Sequence, residues 1–532
     1  MKNALLLALA SLSPLGATAQ QPDWLVSWPV GYELNPGMPA HVLASSPNGH
    51  LMSARLQTGS FSYGQDIFGE YIIERMDAGT GQALWACTLG DSMTVESGAV
   101  DADGNVYAAG RFMGDLSLCD GSILGVSSSG FLDNDVFLIK FAPDGQVLWS
   151  RNISTVAPMA GSIPVMAIDP DGNAWYGTTD YFLARFARVD ENGNDQETRT
   201  IDGGKTLGGL AFDPSGAMYV SGGCDQNAFA FGGLNPTLPT DDFYLMFLAR
   251  FRPDGSGHWA HFAHDITFQR PDIAVDPSGN VAITGGLFDS TSWGGFHVNG
   301  PDWGTASFVA KADSTGEFLW VLETDTAGGP IEGDLAQAAR RSIATDAAGR
   351  IYLTGTLRGE INWGGGVVSD GLTIGQRTQT VVAFAPDGSP LWAGSTVPIS
   401  GFTNAMGLTC LDDGTVYFSA HVIGTYEFLP HTINEGGQQA YVIGRISDPA
   451  SGLGTVDREM NGHAWPVPTD GNVSLFNPGP GMIQARLLAA DGRQVSTLTL
   501  APGTNTIDIR HMAAGLYHMI GTNGERWRLV KE

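Results

Sequence analysis

Apolar and polar positions alternate with a period of two over short runs from near the start of the chain to about residue 457, the pattern of half-buried strands. The clearest run, Phe137-Leu138-Ile139-Lys140-Phe141, leads into Pro143-Asp144-Gly145 and ends at Leu148-Trp149. Its relatives begin at Tyr71 (ending at Trp85), Phe182, Phe247 (Trp259), Phe308 (Trp320), Val381 (Trp392) and Tyr441. Each predicts a hairpin, because Pro presets φ and Gly accepts positive φ at the turn. A second motif alternates with the first, an apolar stretch followed by Asp-x-x-Gly and another strand. It occurs at Asp101–Asn105, Asp169–Asn173, Asp213–Gly216, Asp276–Asn280 and Asp346–Gly349, with weaker copies ending at Gly49 and Gly414. Seven copies of each motif predict seven four-stranded units, and no stretch sustains three turns of amphipathic helix.

Repetition of this kind predicts a seven-bladed β-propeller over residues 20–457, whose radial arrangement protects strand edges. The last unit, from Tyr441, lacks its Leu-Trp strand, whereas Leu25-Val26-Ser27-Trp28 stands at the front without a partner. Residues 24–28 are therefore expected to pair with 441–446 and complete the final blade.

Composition narrows the class. Glycine is 72 of 532 residues, without a collagen period. Hydrophobic residues at 43% are enough for a large core. The net charge of −28 argues against a nucleic-acid partner, whose phosphates are neutralised by Lys and Arg. Residues 1–19 read as a signal peptide: Lys2, an apolar run from Ala4 to Leu12, then Ala17-Thr18-Ala19. No later segment is apolar for long enough to form a transmembrane helix. Cys87 and Cys119 could pair within one unit or remain buried thiols.

The pairing of Asp-x-x-Gly-Asn-Val-Tyr with Phe-x-x-Lys-x-x-x-x-Gly-x-x-x-Trp resembles the bacterial SBBP-type β-propeller repeat over about 24–447. The match is clearest at 137–149, 276–285 and 308–320, and fails at 182–200, where the Trp is missing. That family is mostly exported and implies shape rather than chemistry. Asp77–Trp85 resembles the tryptophan-docking motif of quinone dehydrogenases, where the Trp packs between blades. The calcium site and catalytic Asp of those enzymes have no counterpart located in this sequence.

After about Asp457 the pattern changes. Residues 459–532 carry six basic and six acidic residues, so this stretch contributes nothing to the net charge. Short strands at 473–476, 483–488, 506–509, 515–519 and 526–530 predict a small Ig-like β-sandwich over 458–532. Pro466, Pro468, Asp470 and Gly471, then Gly492 and Arg493, then Gly515 and Tyr517, and finally Lys531 resemble the C-terminal sorting domain of type IX secretion substrates. Val467 stands where that family usually has Asn, and Glu532 follows the terminal Lys531. The resemblance implies recognition by the type IX machinery of a Bacteroidota-like bacterium. It also implies a secreted or outer-membrane surface location, and possible attachment to lipopolysaccharide.

Candidate chemistry is sparse. Asp101, Asp103, Asp169 and Asp171 resemble the opening of a calcium loop but lack its distal bidentate Glu; Asx-type turns account for them without metal. No other cofactor is expected. His258, His261 and His264 alternate faces on a strand and cannot converge as ligands. Nucleophile-elbow, zinc-protease and phosphate-loop signatures are absent. The reading is an exported binding or scaffold protein with an extracellular glycan or protein ligand held by inter-blade loops. Gly-, Asp- and Ser-rich inserts at 113–136, 223–243, 286–305 and 356–380 supply such loops. The alternative is a polysaccharide hydrolase or lyase with carboxylates meeting in the propeller funnel, at least one with a raised pKa. The repeat Trp residues are expected to pack between blades rather than stack on sugars.

Overall fold

The computed structural model describes residues 21–30, 40–63, 66–126, 134–180, 182–239, 242–265, 269–287, 290–299, 306–324, 333–371, 377–397, 401–447, 464–465, 471–477, 481–489, 494–521 and 526–531. The signal-peptide reading at 1–19 and the motif residues Pro466, Pro468, Asp470, Gly492 and Arg493 lie outside them. Apart from a 3-10 turn at Ile153–Thr155, the described elements are all β-strands. The chain divides into two compact units, Met1–Ser451 and Gly452–Glu532.

In the first unit each Asp-x-x-Gly sequence closes a hairpin through its own side chain. Asp101 Oδ1 accepts the N–H groups of Asp103 at 3.1 Å and Asn105 at 2.8 Å, and Oδ2 accepts Asn105 Nδ2 at 2.7 Å. The chain then reverses at Gly104, where φ is 84°, a conformation open to glycine and costly for other residues. Asp169, Asp276 and Asp346 repeat the two backbone contacts.

Strands follow each turn outward in chain order. His41–Ser45, Leu51–Tyr63, Asp66–Met76 and the first half of Ala83–Val100 form one antiparallel run. The second half of Ala83–Val100 opens the next, with Val106–Phe112, Asp135–Phe141 and Val147–Asn152. Later sheets open with Val165–Ile168, Gly204–Phe212, Asp272–Val275, the pair Asp334–Gln337 and Ile343–Thr345, and Gly401–Cys410. These opening strands pack on one another in sequence, and Gly401–Cys410 returns onto His41–Ser45. A ring of radially stacked antiparallel sheets that closes on itself is a β-propeller.

Closure uses the front of the chain, as its pattern predicts. Trp24–Pro29 pairs antiparallel with His431–Ile446, Trp24 opposite Arg445 and Pro29 opposite Ala440. Trp24 packs with Leu43, Met76, Tyr417 and Ile443 in the apolar layer between the last sheet and the first. Other such layers separate the remaining sheets and form the core.

At four junctions an outer Trp bonds one sheet to the next. Trp85 Nε1 donates to the Pro143 carbonyl at 3.0 Å, Trp149 to Glu191 at 2.8 Å, Trp259 to Ser314 and Trp320 to Pro386, both at 3.1 Å. Each indole lies on the turn glycine of the neighbouring sheet. A Cβ on Gly145, with φ 93°, would come within 2.8 Å of the Trp85 ring, so that glycine is required by both backbone and space. This is the inter-blade role expected of these residues.

In the second unit, Ala464–Trp465, Asn472–Asn477 and Gly503–Asp508 form one sheet. Gln494–Leu500, Ile483–Ala489, Gly515–Gly521 and Arg526–Lys531 form another. They share a core that includes Val473, Leu475, Leu487, Tyr517 and Leu529. The strand Gln494–Leu500 was not anticipated from the sequence pattern. Tyr517 is anchored by its hydroxyl, which donates to the Ala513 carbonyl at 2.8 Å. Gly515 and Lys531 are paired at the end of the second sheet, and Gly471 accepts the N–H of Ile509 through its carbonyl.

Candidate functional site

The Asp-x-x-Gly and Pro-Asp-Gly turns occupy one end of the strands, so the links between sheets and the long inserts fall at the other. At that second end the starts of the inner strands surround a cavity of about 840 Å³. A smaller pocket of about 50 Å³ shares Glu96, Pro164, Gly208, Asp272 and Arg340 with it and adds Val42, Leu43 and Met166 from the inner strands.

Charged groups concentrate on this wall. Arg111 extends from the end of Val106–Phe112, Arg270 precedes Asp272–Val275, and Arg340 and Arg341 precede Ile343–Thr345. Facing them are Asp66, Glu96 and Asp272. Arg111 Nε donates to Glu96 Oε1 at 2.6 Å, and its other arm pairs with Asp66. Arg340 reaches Asp66 Oδ1 at 3.5 Å and the Val95 carbonyl at 3.1 Å.

The carboxylates are held by fixed donors. Glu96 Oε2 accepts the Ile163 N–H at 2.8 Å, so both its oxygens are engaged. Asp272 accepts three backbone N–H groups, from Ser342 at 2.7 Å, Ile343 at 3.3 Å and Ile273 at 2.8 Å. Burial pushes the Asp272 carboxyl up to about 6, against the opposing pull of Arg341 and those N–H groups. Arg270 is different. It is exposed to the cavity, and no side-chain hydrogen bond from it occurs among the described residues. Enclosure by the funnel lowers its pKa from the usual guanidinium range; Glu96 opposes the shift, Arg340 adds to it, and Asp66 and Arg111 have smaller effects.

None of these seven residues was singled out by sequence reasoning, which looked for motifs. One signal was present: Arg340-Arg341 is a doublet in a chain with only 27 basic residues, just ahead of a repeat strand. The residues that were singled out lie elsewhere. Asp101 and Asp169 sit in hairpin turns, where Asp169 also accepts the Trp175 indole N–H at 2.9 Å. Asp103 and Asp171 are exposed beside them. Among the described residues no group of three or more His, Cys, Asp or Glu is placed to hold a metal ion.

The histidines of 258–264 go separate ways. His258 contacts Arg250 at 2.7 Å, His261 packs between Trp259 and Phe318, and His264 pairs with Asp242 at 2.7 Å. Cys87 and Cys119 form a disulfide, which ties the insert after Val106–Phe112 to the strand Ala83–Val100. Among the described residues no helix is long and apolar enough to cross a membrane.

No known family model matches the chain. It is 24% identical over 351 residues to an uncharacterized WD repeat-containing protein of Acanthamoeba polyphaga mimivirus, a match that covers 60% of this chain and 22% of that protein. The chain thus spans about a fifth of that relative's length. Among solved structures, the Dos1 propeller aligns with 80% of this chain and 95% of its own at 10% identity and a TM-score of 0.38. A DUF4221 family member from Bacteroides vulgatus aligns with 80% of this chain and 97% of its own at 8% identity and a TM-score of 0.30. A gluconolactonase from Xanthomonas campestris aligns with 65% and 91% at 12% identity and a TM-score of 0.27.

Proposed function

We propose that this chain is an exported binding or scaffold protein: a seven-bladed propeller of the SBBP-repeat type whose axial funnel takes a ligand, followed by a β-sandwich that directs type IX secretion. The blade number rests on the opening strands that follow one another around the ring, one for each copy of the repeat. Export is supported by the Cys87–Cys119 disulfide, a bond that persists in oxidising compartments. Gly471, Gly515, Tyr517 and Lys531 belong to the proposed sorting motif, and the secretion machinery and surface lipopolysaccharide are its proposed partners.

The observation that favours binding over catalysis is the state of the funnel carboxylates. An acid or base catalyst needs an oxygen that can reach the substrate. Glu96 and Asp272 have both oxygens committed to protein donors, and Asp66 bridges two arginines. They hold the arginines and the inter-sheet link in place. One observation favours the second reading, a polysaccharide hydrolase or lyase: the raised pKa of Asp272 beside Glu96 in one cavity.

A glycan array and a polysaccharide panel separate the two. Retention with no new reducing ends or unsaturated products supports binding, and turnover that disappears in Glu96→Gln and Asp272→Asn supports the enzyme. For sorting, removal of 464–532 is expected to abolish appearance of the protein outside the cell; unchanged export overturns that part.

A further inference from the structure

Basic residues are scarce in this molecule, 27 against 55 acidic, yet three arginines, Arg111, Arg270 and Arg340, line one cavity in the first unit, and Arg341 lines the small pocket beside it. The neighbouring carboxylates do not spread evenly over them. Arg111 takes Glu96 and Asp66, and Arg340 shares Asp66. Arg270 projects into the space with neither an ion pair nor a hydrogen bond among the described residues. A guanidinium presents a planar fork that matches a carboxylate or another oxyanion bidentately. A cavity wall of low dielectric strengthens that attraction.

The rest of the wall says what else the ligand carries. Ser162, Thr179 and Gln269 also line the cavity, and among the described residues no aromatic side chain does. Hydroxyl and amide groups suit a partner rich in hydroxyls, and the guanidinium supplies the charge complement that a neutral sugar would leave unused. A volume of about 840 Å³ lies within the usual range for small-ligand sites.

We propose that the funnel binds a carboxylated sugar, with the carboxylate held by Arg270 beside Arg340, and the hydroxyls by Ser162, Thr179 and Gln269. The proposal rests on the funnel being the binding site. It names the ligand class that the funnel selects.

The test is isothermal titration of the full mature chain with trigalacturonate, a neutral trisaccharide of matched size, and sodium sulfate. Trigalacturonate is expected to bind one site, and raising the salt from low to high concentration is expected to weaken it. Arg270→Gln is expected to cost about tenfold in affinity, and Arg270→Lys less, since it keeps the charge and loses the fork. Arg270 makes no described hydrogen bond, so both variants are expected to fold; their melting temperatures check this.

Equal affinity for the neutral trisaccharide, or wild-type affinity in Arg270→Gln, overturns the proposal and leaves a funnel that binds other ligands. Sulfate that competes as well as trigalacturonate reduces the site to a bare anion site and overturns the sugar assignment. Absence of trigalacturonate binding also overturns it, while retention on the glycan array would still support a binding protein. Cleavage of the trisaccharide would instead overturn the binding reading itself.

Discussion

Arg199 donates from Nη2 to the carbonyl of Pro253 at 2.9 Å, the same kind of bond that Trp85 makes to Pro143 and Trp320 to Pro386. In the unit at 182–200, where the Trp is missing from the sequence, Glu197 stands opposite Arg188 as Trp149 stands opposite Lys140, and Arg199, two residues on, makes the contact instead. Its guanidinium lies 4.9 Å from the ring centre of Trp175. Trp175 in turn takes the place of the repeat tyrosine and bonds the turn residue Asp169, as Tyr352 bonds Asp346 at 2.9 Å. The indole here lies on the second strand, while the outer strand still supplies the donor to the neighbouring turn.

Arg199 is buried and its bonds are charge-assisted, so Arg199→Ala is expected to destabilise the protein by about 2 kcal/mol. Urea denaturation followed by Trp fluorescence measures it. A cost near zero would mean that the neighbouring sheets are held without this bridge.

The disulfide closes a loop with a sequence separation of 32 residues. Loss of the unfolded-state restraint in the Cys87→Ser, Cys119→Ser double variant is expected to lower stability by roughly 3–4 kcal/mol. Comparison of urea midpoints for the oxidised wild type and the variant checks this. Mass mapping of non-reduced peptides is expected to link Cys87 with Cys119 and leave Cys224 and Cys410 as thiols.

His41 gives a pH signature. It is wholly buried, its ring nitrogens lie 3.0 Å from Ser419 Oγ and Ser53 Oγ, and it stacks on Tyr441. Burial, with Arg55 adding, lowers its pKa to about 3. The unfolded chain therefore binds this proton at higher pH than the folded one. The contribution is fully present above about 6.5 and is lost as pH falls towards 3. Between pH 7 and 4.5 it removes roughly 2–3 kcal/mol of stability. His41→Gln is expected to flatten the pH dependence by that amount; His421, lowered to about 4 by burial and also in contact with Tyr441, retains its own share. An unchanged pH slope in the variant would show that His41 is not the titrating group.

The repeat was legible because strand alternation and turn chemistry are local. Asp101 makes its turn with residues two and four positions away, so the motif and its structure are the same stretch of chain. The partner of Trp28 was also legible, because a missing strand at one end and a spare one at the other leave a single economical pairing. The funnel was not. Asp66 and Arg340 meet across 274 positions, and Glu96 is fixed by Ile163 from the link ahead of Val165–Ile168. No spacing rule connects such residues; only closure of the ring brings them to one wall. The strand Gln494–Leu500 was missed for a milder reason: its Thr- and Ser-rich alternation resembles a linker as much as an edge strand.

Closure of the ring by Trp24–Pro29 decides whether the funnel exists, and hydrogen exchange of the intact mature chain measures it. Backbone amides of residues 24–29 that pair with 440–445 are expected to exchange as slowly as those of Val416–Phe428, on the far side of His431–Ile446 in the same sheet. Rapid exchange of 24–29 beside a protected Val416–Phe428 would show that the last sheet ends at an open edge, and the closed propeller would not stand.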